Sequence, residues 1–372
     1  MRIDLVITEL DTGGAERCCV SLACFLQSRG HRVRVIAFGP RPTPPKAALL
    51  NLLEQRAIET HFLDAQRWWM FPKVARRFRG LLRSDPPELV QSFLWHANVL
   101  SAWIVPSFRI PVVGGARVAE PNRNRHAMGG WAARRMAKVV CVSNSVKQWC
   151  ISAERVLPAK LEVIPNGIEI AKQPAAIQLS EFGITEEARI LLFVGRLTVQ
   201  KGVDELLDRA PKLLASLPNH QLVLLGDGPL RARADATSKL PEIKGRMKVL
   251  GQSDAVRAWM GRSEMLLLPT RYEGMPNVVL EAMAEGLPVV TTRVEGVVDL
   301  LGDSQGMQAV EAGDWDRWLD QVVHVANDSE LRDGLGRFNR ARAETEFCLE
   351  IQMEKYEKLY QNVLETWPTG RM

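Results

Sequence analysis

The 372-residue chain reads as two doubly wound α/β domains in tandem, and three observations predict this. Its length exceeds what one typical hydrophobic core organises. Short, continuous apolar runs alternate with helical stretches along it, the pattern of parallel sheets covered on both faces. The alternation breaks once, at Pro165-Asn166-Gly167 and the looser stretch to about residue 180, which separates two series of strands.

In the first series the predicted strands are Ile3–Ile7, Val33–Phe38, Thr60–Leu63, Leu89–Phe93, Val112–Gly115, Val139–Val142 and Leu161–Ile164. Helices fill the intervals, as at Ala15–Ser28, Trp95–Val105 and Ser145–Ser152. In the second series the strands are Ile190–Val194, Leu222–Leu225, Val249–Leu250, Met265–Leu268 and Val289–Thr291. The tail after Asp314 reads as helical. We place the domain boundary at residues 170 and 171. In such sheets ligands gather at the carboxyl ends of the strands, here facing each other across a cleft.

Composition narrows the function classes. The six cysteines show no framework spacing, no CxxC and no metal pattern, which predicts a reducing, cytoplasmic setting without a bound metal. The chain opens on a strand with no leader pattern, and no apolar run approaches a membrane span. Charge divides unevenly. Residues 1–171 hold 24 Lys and Arg against 13 Asp and Glu, a balance of +11, and residues 172–372 hold 24 against 30, a balance of −6. The basic half therefore expects an anionic partner: a phospholipid surface, a lipid diphosphate or, last because no such motif is present, nucleic acid.

The richest segment is Glu273-Gly-Met-Pro-Asn-Val-Val-Leu-Glu281, which follows the strand Met265–Leu268. Gly274 lets the backbone approach a ligand, and Pro276 suits the first position of a helix. Asn277 and Val278 would offer first-turn amides where the helix dipole favours an anion. Glu281, set among apolar residues, needs donors to accept from. Carboxylate, phosphate seat and second carboxylate in that order fit a nucleotide-sugar. They also fit an ordinary strand, loop and helix in which Glu273 caps and Glu281 pairs with an arginine. The segment alone leaves both open.

Three further motifs stand at strand ends. Thr12-Gly13-Gly14-Ala15-Glu16 follows the first strand, where a plain tight turn is the simpler reading. Gly195-Arg196 and Lys201-Gly202 follow the first strand of the second domain, and two cations with glycines suit a diphosphate. Gly226-Asp-Gly-Pro229 needs no chemistry beyond a turn.

Taken together, these motifs resemble glycosyltransferase family 4, the retaining enzymes of GT-B fold. The resemblance covers nearly the whole chain. It includes Val163-Ile-Pro-Asn-Gly-Ile168, Phe193-Val-Gly-Arg-Leu197 and the run from Glu273 through Pro288. It implies that Glu273 holds donor-sugar hydroxyls and that Gly274, Met275, Pro276, Asn277 and Val278 line the sugar and phosphate pocket. Glu281 would hold the ribose. Arg196 and Lys201 would neutralise the departing diphosphate in place of a metal, and Gly13 and Gly14 would close on the phosphates, with Gly226 nearby. It further implies an acceptor-side domain over 1–170, a donor domain over 171–350 and a helix over 351–372 bracing the first domain. No separate cofactor is implied.

Three departures accompany it. Where the family often has a histidine, this chain has Arg117, and His96 lies in the preceding strand-end loop, so either could face the sugar. Glu295 stands in Arg293-Val-Glu295-Gly296 in place of a frequent glycine, and Glu169 in place of a frequent aspartate.

The segment Trp68–Arg83 mixes aromatics with Lys and Arg on a predicted amphipathic helix. It suits either an anionic membrane surface or a surface helix with a solvated basic face. The function these readings support is transfer of a hexose or N-acetylhexosamine from a nucleotide diphosphate sugar, UDP before GDP, to a glycan, lipid-linked where the membrane reading holds. A nucleotide-sugar epimerase and a non-catalytic binder are the alternatives.

Overall fold

A computed structural model describes residues 1–11, 13–44, 46–65, 70–118, 122–170 and 177–368. Thr12, Trp68, Trp69 and residues 171–176 of the stretch between the two strand series lie outside the described residues. The chain forms two compact units, Met1–Asn166 with Glu350–Met372, and Gly167–Leu349.

The first unit is built on β1 (Arg2–Ile7), β2 (Arg32–Ala37), β3 (Glu59–Phe62), β4 (Leu89–Phe93), β5 (Val112–Ala116), β6 (Lys138–Cys141) and β7 (Leu161–Val163). All are parallel, in the order β3-β2-β1-β4-β5-β6-β7. β4 is buried at every position, as a strand covered on both faces requires. Asp4 and Arg34 lie opposite each other in the β1–β2 register and form a buried two-point ion pair at 2.9 and 2.7 Å. Burial pushes the Asp4 carboxyl up, against the pull of Arg34. Removing one partner of such a pair costs about 3–5 kcal/mol.

The helix Leu349–Thr366 returns to this unit. It buries Tyr356 and Tyr360, and the Tyr360 hydroxyl donates to Gln91 of β4 at 3.0 Å. Glu357 of the same helix meets His31 at 2.7 Å.

The second unit is built on β8 (Arg189–Val194), β9 (His220–Leu225), β10 (Met247–Gly251), β11 (Met265–Leu268), β12 (Val289–Arg293) and β13 (Ala309–Glu311). These too are parallel, in the order β10-β9-β8-β11-β12-β13. Sequence reasoning did not identify β13. Three residues are too few to show a pattern, and pairing with β12 is what makes them a strand.

At the starting ends of these strands Glu264 accepts from Arg189 at 2.6 Å and lies 3.0 Å from His220, with Arg332 at 4.0 Å. Burial raises the Glu264 carboxyl, but these partners outweigh it and hold it at about 2, below its ordinary 4.5. A depressed carboxylate stabilises the fold above the unfolded value and loses that contribution as pH falls through the folded one. The shift corresponds to about 3 kcal/mol at most, less some screening at the 21% exposed side chain. Glu264→Gln is therefore expected to lower stability by about 2 kcal/mol at pH 7. Denaturant titrations should show the two proteins converging between pH 4.5 and 2.

Candidate functional site

In the second unit the chain runs outward in opposite directions from two neighbouring strands, β8 towards β9 and β11 towards β12. This is the topological switch point, where a doubly wound sheet opens a crevice at its carboxyl end. The Gly195–Gly202 loop leaves β8 there, and the Thr270–Pro276 loop leaves β11.

The two loops touch at Gly202. It has φ of +67°, and a Cβ there would stand 1.6 Å from the carbonyl oxygen of Pro269. Only glycine permits both the conformation and the approach. The contact delivers the adjacent Lys201 ammonium onto the Glu273 carboxylate as a hydrogen-bonded ion pair. Both side chains are largely sheltered, 16% and 12% exposed. The Thr270 hydroxyl lies 3.3 Å from Glu273 Oε1 and 3.1 Å from the Gln200 carbonyl, and can donate to either. The Gln200 amide donates to the Tyr272 carbonyl at 3.3 Å. Arg271 locks the same loop from behind through a two-point pair with Asp204 at 2.7 and 2.8 Å, and its guanidinium stacks over Trp315. Burial raises the Asp204 carboxyl, but Arg271 outweighs this and leaves it below its ordinary value.

The Glu273–Glu281 segment continues into the helix Asn277–Ala284. Pro276 does not open that helix as predicted. It precedes it, with ψ of 112°, and its carbonyl accepts from Val279 at 3.0 Å. The physical reason for a proline is unchanged, since neither position needs an N–H. Asn277 and Val278 occupy the first turn of that helix. Gly274, Met275 and Pro276 are buried, and Glu281 is half-buried one turn into the helix. Gly296, with φ of +75°, backs this loop: a Cβ there would stand 1.8 Å from the Gly274 carbonyl oxygen.

Arg196 is exposed, 3.5 Å from the Gln200 side chain. The Gly226–Pro229 turn packs against the β8 loop, with Leu197 N–H donating to the Asp227 carbonyl at 2.9 Å. Gly226 is thus a brace for Gly195 and Arg196. Thr270, Gln200 and Arg271 escaped sequence reasoning. The one available signal was a threonine and an arginine just past a buried strand.

In the first unit, Gly13 is extended and precedes the helix that begins at Gly14. The Glu16 carboxylate folds back over Gly13, 2.1 Å from where a Cβ would stand. Burial raises this carboxyl, and Arg117 pulls it down. Arg117 follows β5, donates to Asn166 and lies against Cys18 and Tyr356. His96 is exposed in the first turn of the helix Trp95–Ile104, edge-on to Trp95. Leu94 before it holds φ of +70° and ψ of 159°, a strained backbone for a side-chain-bearing residue.

Residues 188–328 match the family model described as Glycosyl transferases group 1, and residues 12–172 that described as Glycosyltransferase Family 4. An uncharacterized glycosyltransferase of Methanocaldococcus jannaschii is 28% identical over 326 residues, 81% of this chain and 83% of that protein. The UDP-Gal:alpha-D-GlcNAc-diphosphoundecaprenol alpha-1,3-galactosyltransferase of Escherichia coli is 28% identical over 209 residues, 54% of each chain. Among solved structures, Anabaena HepE in complex with UDP-glucose superimposes with a TM-score of 0.84 over 97% of this chain and 100% of that one. At 18% identity this is a likeness of fold.

Gly202→Ala is expected to cost about 3 kcal/mol or more, conformational strain plus displaced Pro269 backbone. Gly245→Ala separates the two effects, because Gly245 has φ of +72° with nothing within 4 Å of a Cβ. It should cost only about 1 kcal/mol in the same urea titration.

Proposed function

The chain is a family 4-like glycosyltransferase of GT-B fold, and from that premise we propose its reaction in detail. It transfers a hexose or N-acetylhexosamine from a nucleotide diphosphate sugar, a UDP-sugar first, to a glycan acceptor with retention of configuration. The observation that carries this reading is the sheltered Lys201–Glu273 pair at the switch point of the second unit.

In this reading Glu273 accepts hydrogen bonds from donor-sugar hydroxyls, with Thr270 and Lys201 fixing its orientation. The first-turn amides at Asn277 and Val278 receive the diphosphate, and Glu281 accepts from the ribose. Gly226 braces the β8 loop. As the bond between anomeric carbon and phosphate oxygen breaks, negative charge grows on the diphosphate. Arg196 and Lys201 offset it, the service a divalent cation would otherwise give. The acceptor oxygen bonds the anomeric carbon from the same face, and the departing phosphate takes its proton. UDP is favoured because the E. coli relative is named for UDP-Gal and the Anabaena structure holds UDP-glucose.

The acceptor is lipid-linked in this reading, and the first unit adsorbs to an anionic membrane. No helix among the described residues is long and apolar enough to cross a membrane. The helix Phe71–Ser84 spends its apolar face on the core, burying Val74, Ala75, Phe78 and Leu82. Insertion of that face, one sense of the amphipathic pattern, is therefore unavailable. What stays outside is Lys73, Arg76 and Arg83, with Phe71 and Trp103 exposed and stacked at 5.8 Å under Arg79. This suits surface adsorption by charge, with an aromatic pair at headgroup level.

Lys201→Ala and Glu273→Gln are each expected to lower transfer from a UDP-sugar about 100-fold. A thermal-shift panel of UDP- and GDP-sugars should stabilise the wild type by about 2.7 kcal/mol at a hundred times the dissociation constant. A panel in which no nucleotide sugar shifts the melting point would sink the donor reading.

Flotation with phosphatidylglycerol vesicles at low salt should carry the protein upward. Replacing Arg76, Arg79 and Arg83 together with serine should weaken binding on the order of 100-fold, at about 1 kcal/mol per charge.

A further inference from the structure

A cavity of about 80 Å³ opens in the first unit beside the ends of β4 and β5. Part of its wall is fully buried and apolar: Ala132, Ala133 and Met136. The half-buried part is mixed: Asn98, Arg117 and Glu154 are polar, Leu94 and Val99 are apolar, and the indoles of Trp95 and Trp149 stand alongside.

Asn98 is held in place before any ligand arrives. Its side-chain oxygen accepts from Ser92 at 2.7 Å and from the Gly115 N–H at 3.3 Å, while its nitrogen donates to the Gly115 carbonyl at 2.9 Å. Ser92 follows Gln91, which Tyr360 anchors. One N–H of the Asn98 amide is left without a partner among the described residues. A fixed donor beside a small apolar wall is a specific demand. A sugar edge bearing only hydroxyls would leave the methyl-lined wall in poor contact. A lipid chain would strand the Asn98 donor, at about 1–3 kcal/mol. The volume holds several waters, or one substituent, and is too small for a whole sugar ring.

We infer that this cavity takes the acetamido group of the acceptor sugar. The methyl sits against Ala132, Ala133 and Met136, and the carbonyl accepts from the remaining Asn98 N–H. The inference rests on the reading that the first unit binds a glycan acceptor, and it narrows that acceptor to an N-acetylated sugar.

Saturation-transfer NMR on the full chain tests it, with octyl β-N-acetylglucosaminide and octyl β-glucoside as probes and UDP in the same tube. The acetyl methyl should receive the strongest transfer of any probe proton, and the glucoside should bind about 10-fold more weakly. Met136→Ala should enlarge the pocket and shift preference towards the N-propanoyl analogue. Ala133→Leu should fill it and abolish the methyl signal while UDP transfer persists. Equal binding of the two glycosides by the wild type, or saturation centred on the octyl chain, overturns the inference. If UDP is saturated and the methyl is not, only the acetamido pocket falls. If the methyl is saturated and UDP is not, the donor reading falls and the pocket stands.

Discussion

The close approach of Gly202 to the Pro269 carbonyl is the constraint on which the second unit's site depends. Two loops leave neighbouring parallel strands and would ordinarily diverge. With no side chain between them they lie in contact, and residues 72 positions apart in sequence become partners. Everything else in the site follows from that contact. Lys201 reaches Glu273, Thr270 reaches both Glu273 and the Gln200 backbone, and Gln200 reaches Tyr272. Arg271 and Gly296 then fix the outer sides of the same loop.

Both units divide their labour along the strand axis. Charged residues at the starting ends answer one another: Asp4 with Arg34 in the first unit, Glu264 with Arg189 and His220 in the second. These pairs fix strand positions. At the opposite ends the backbone departs from regular structure and polar groups gather in loops. Of three buried hydroxyls without a partner among the described residues, Thr8 lies just past β1, Thr198 in the loop after β8 and Ser101 in the helix Trp95–Ile104. The strained Leu94 lies just past β4.

How much of this was legible in the sequence depends on the range of the interaction. Continuous apolar runs such as Leu89–Phe93 and Met265–Leu268 need only local pattern, and they gave the α/β class and nearly every strand. β13 was illegible because its strand character is conferred by β12. The residue types around Glu273 were legible, but the Lys201–Glu273 pair, the Arg271 lock and the contact at Gly202 are long-range. In the segment Phe71–Ser84 the amphipathic pattern was plain, yet pattern alone cannot say whether the apolar face meets a core or a membrane. Packing assigned it to the core.

The proposed donor role of the Lys201–Glu273 pair also has an electrostatic logic. A sheltered carboxylate without a partner would be destabilising by several kcal/mol, and a sheltered ammonium likewise. Set against each other, each satisfies the other. A ligand that brings hydroxyl donors to the carboxylate and anionic oxygens to the ammonium then meets groups already oriented. No charge is stranded at any stage, because each new contact replaces part of an existing one. A ligand with only one of these two chemistries would satisfy one partner while weakening the other's bond. In the proposed reading the pair therefore discriminates for molecules that present hydroxyls and an anion side by side. That is a stricter requirement than either charge would impose alone, and it arises from the contact at Gly202 that brings the two together.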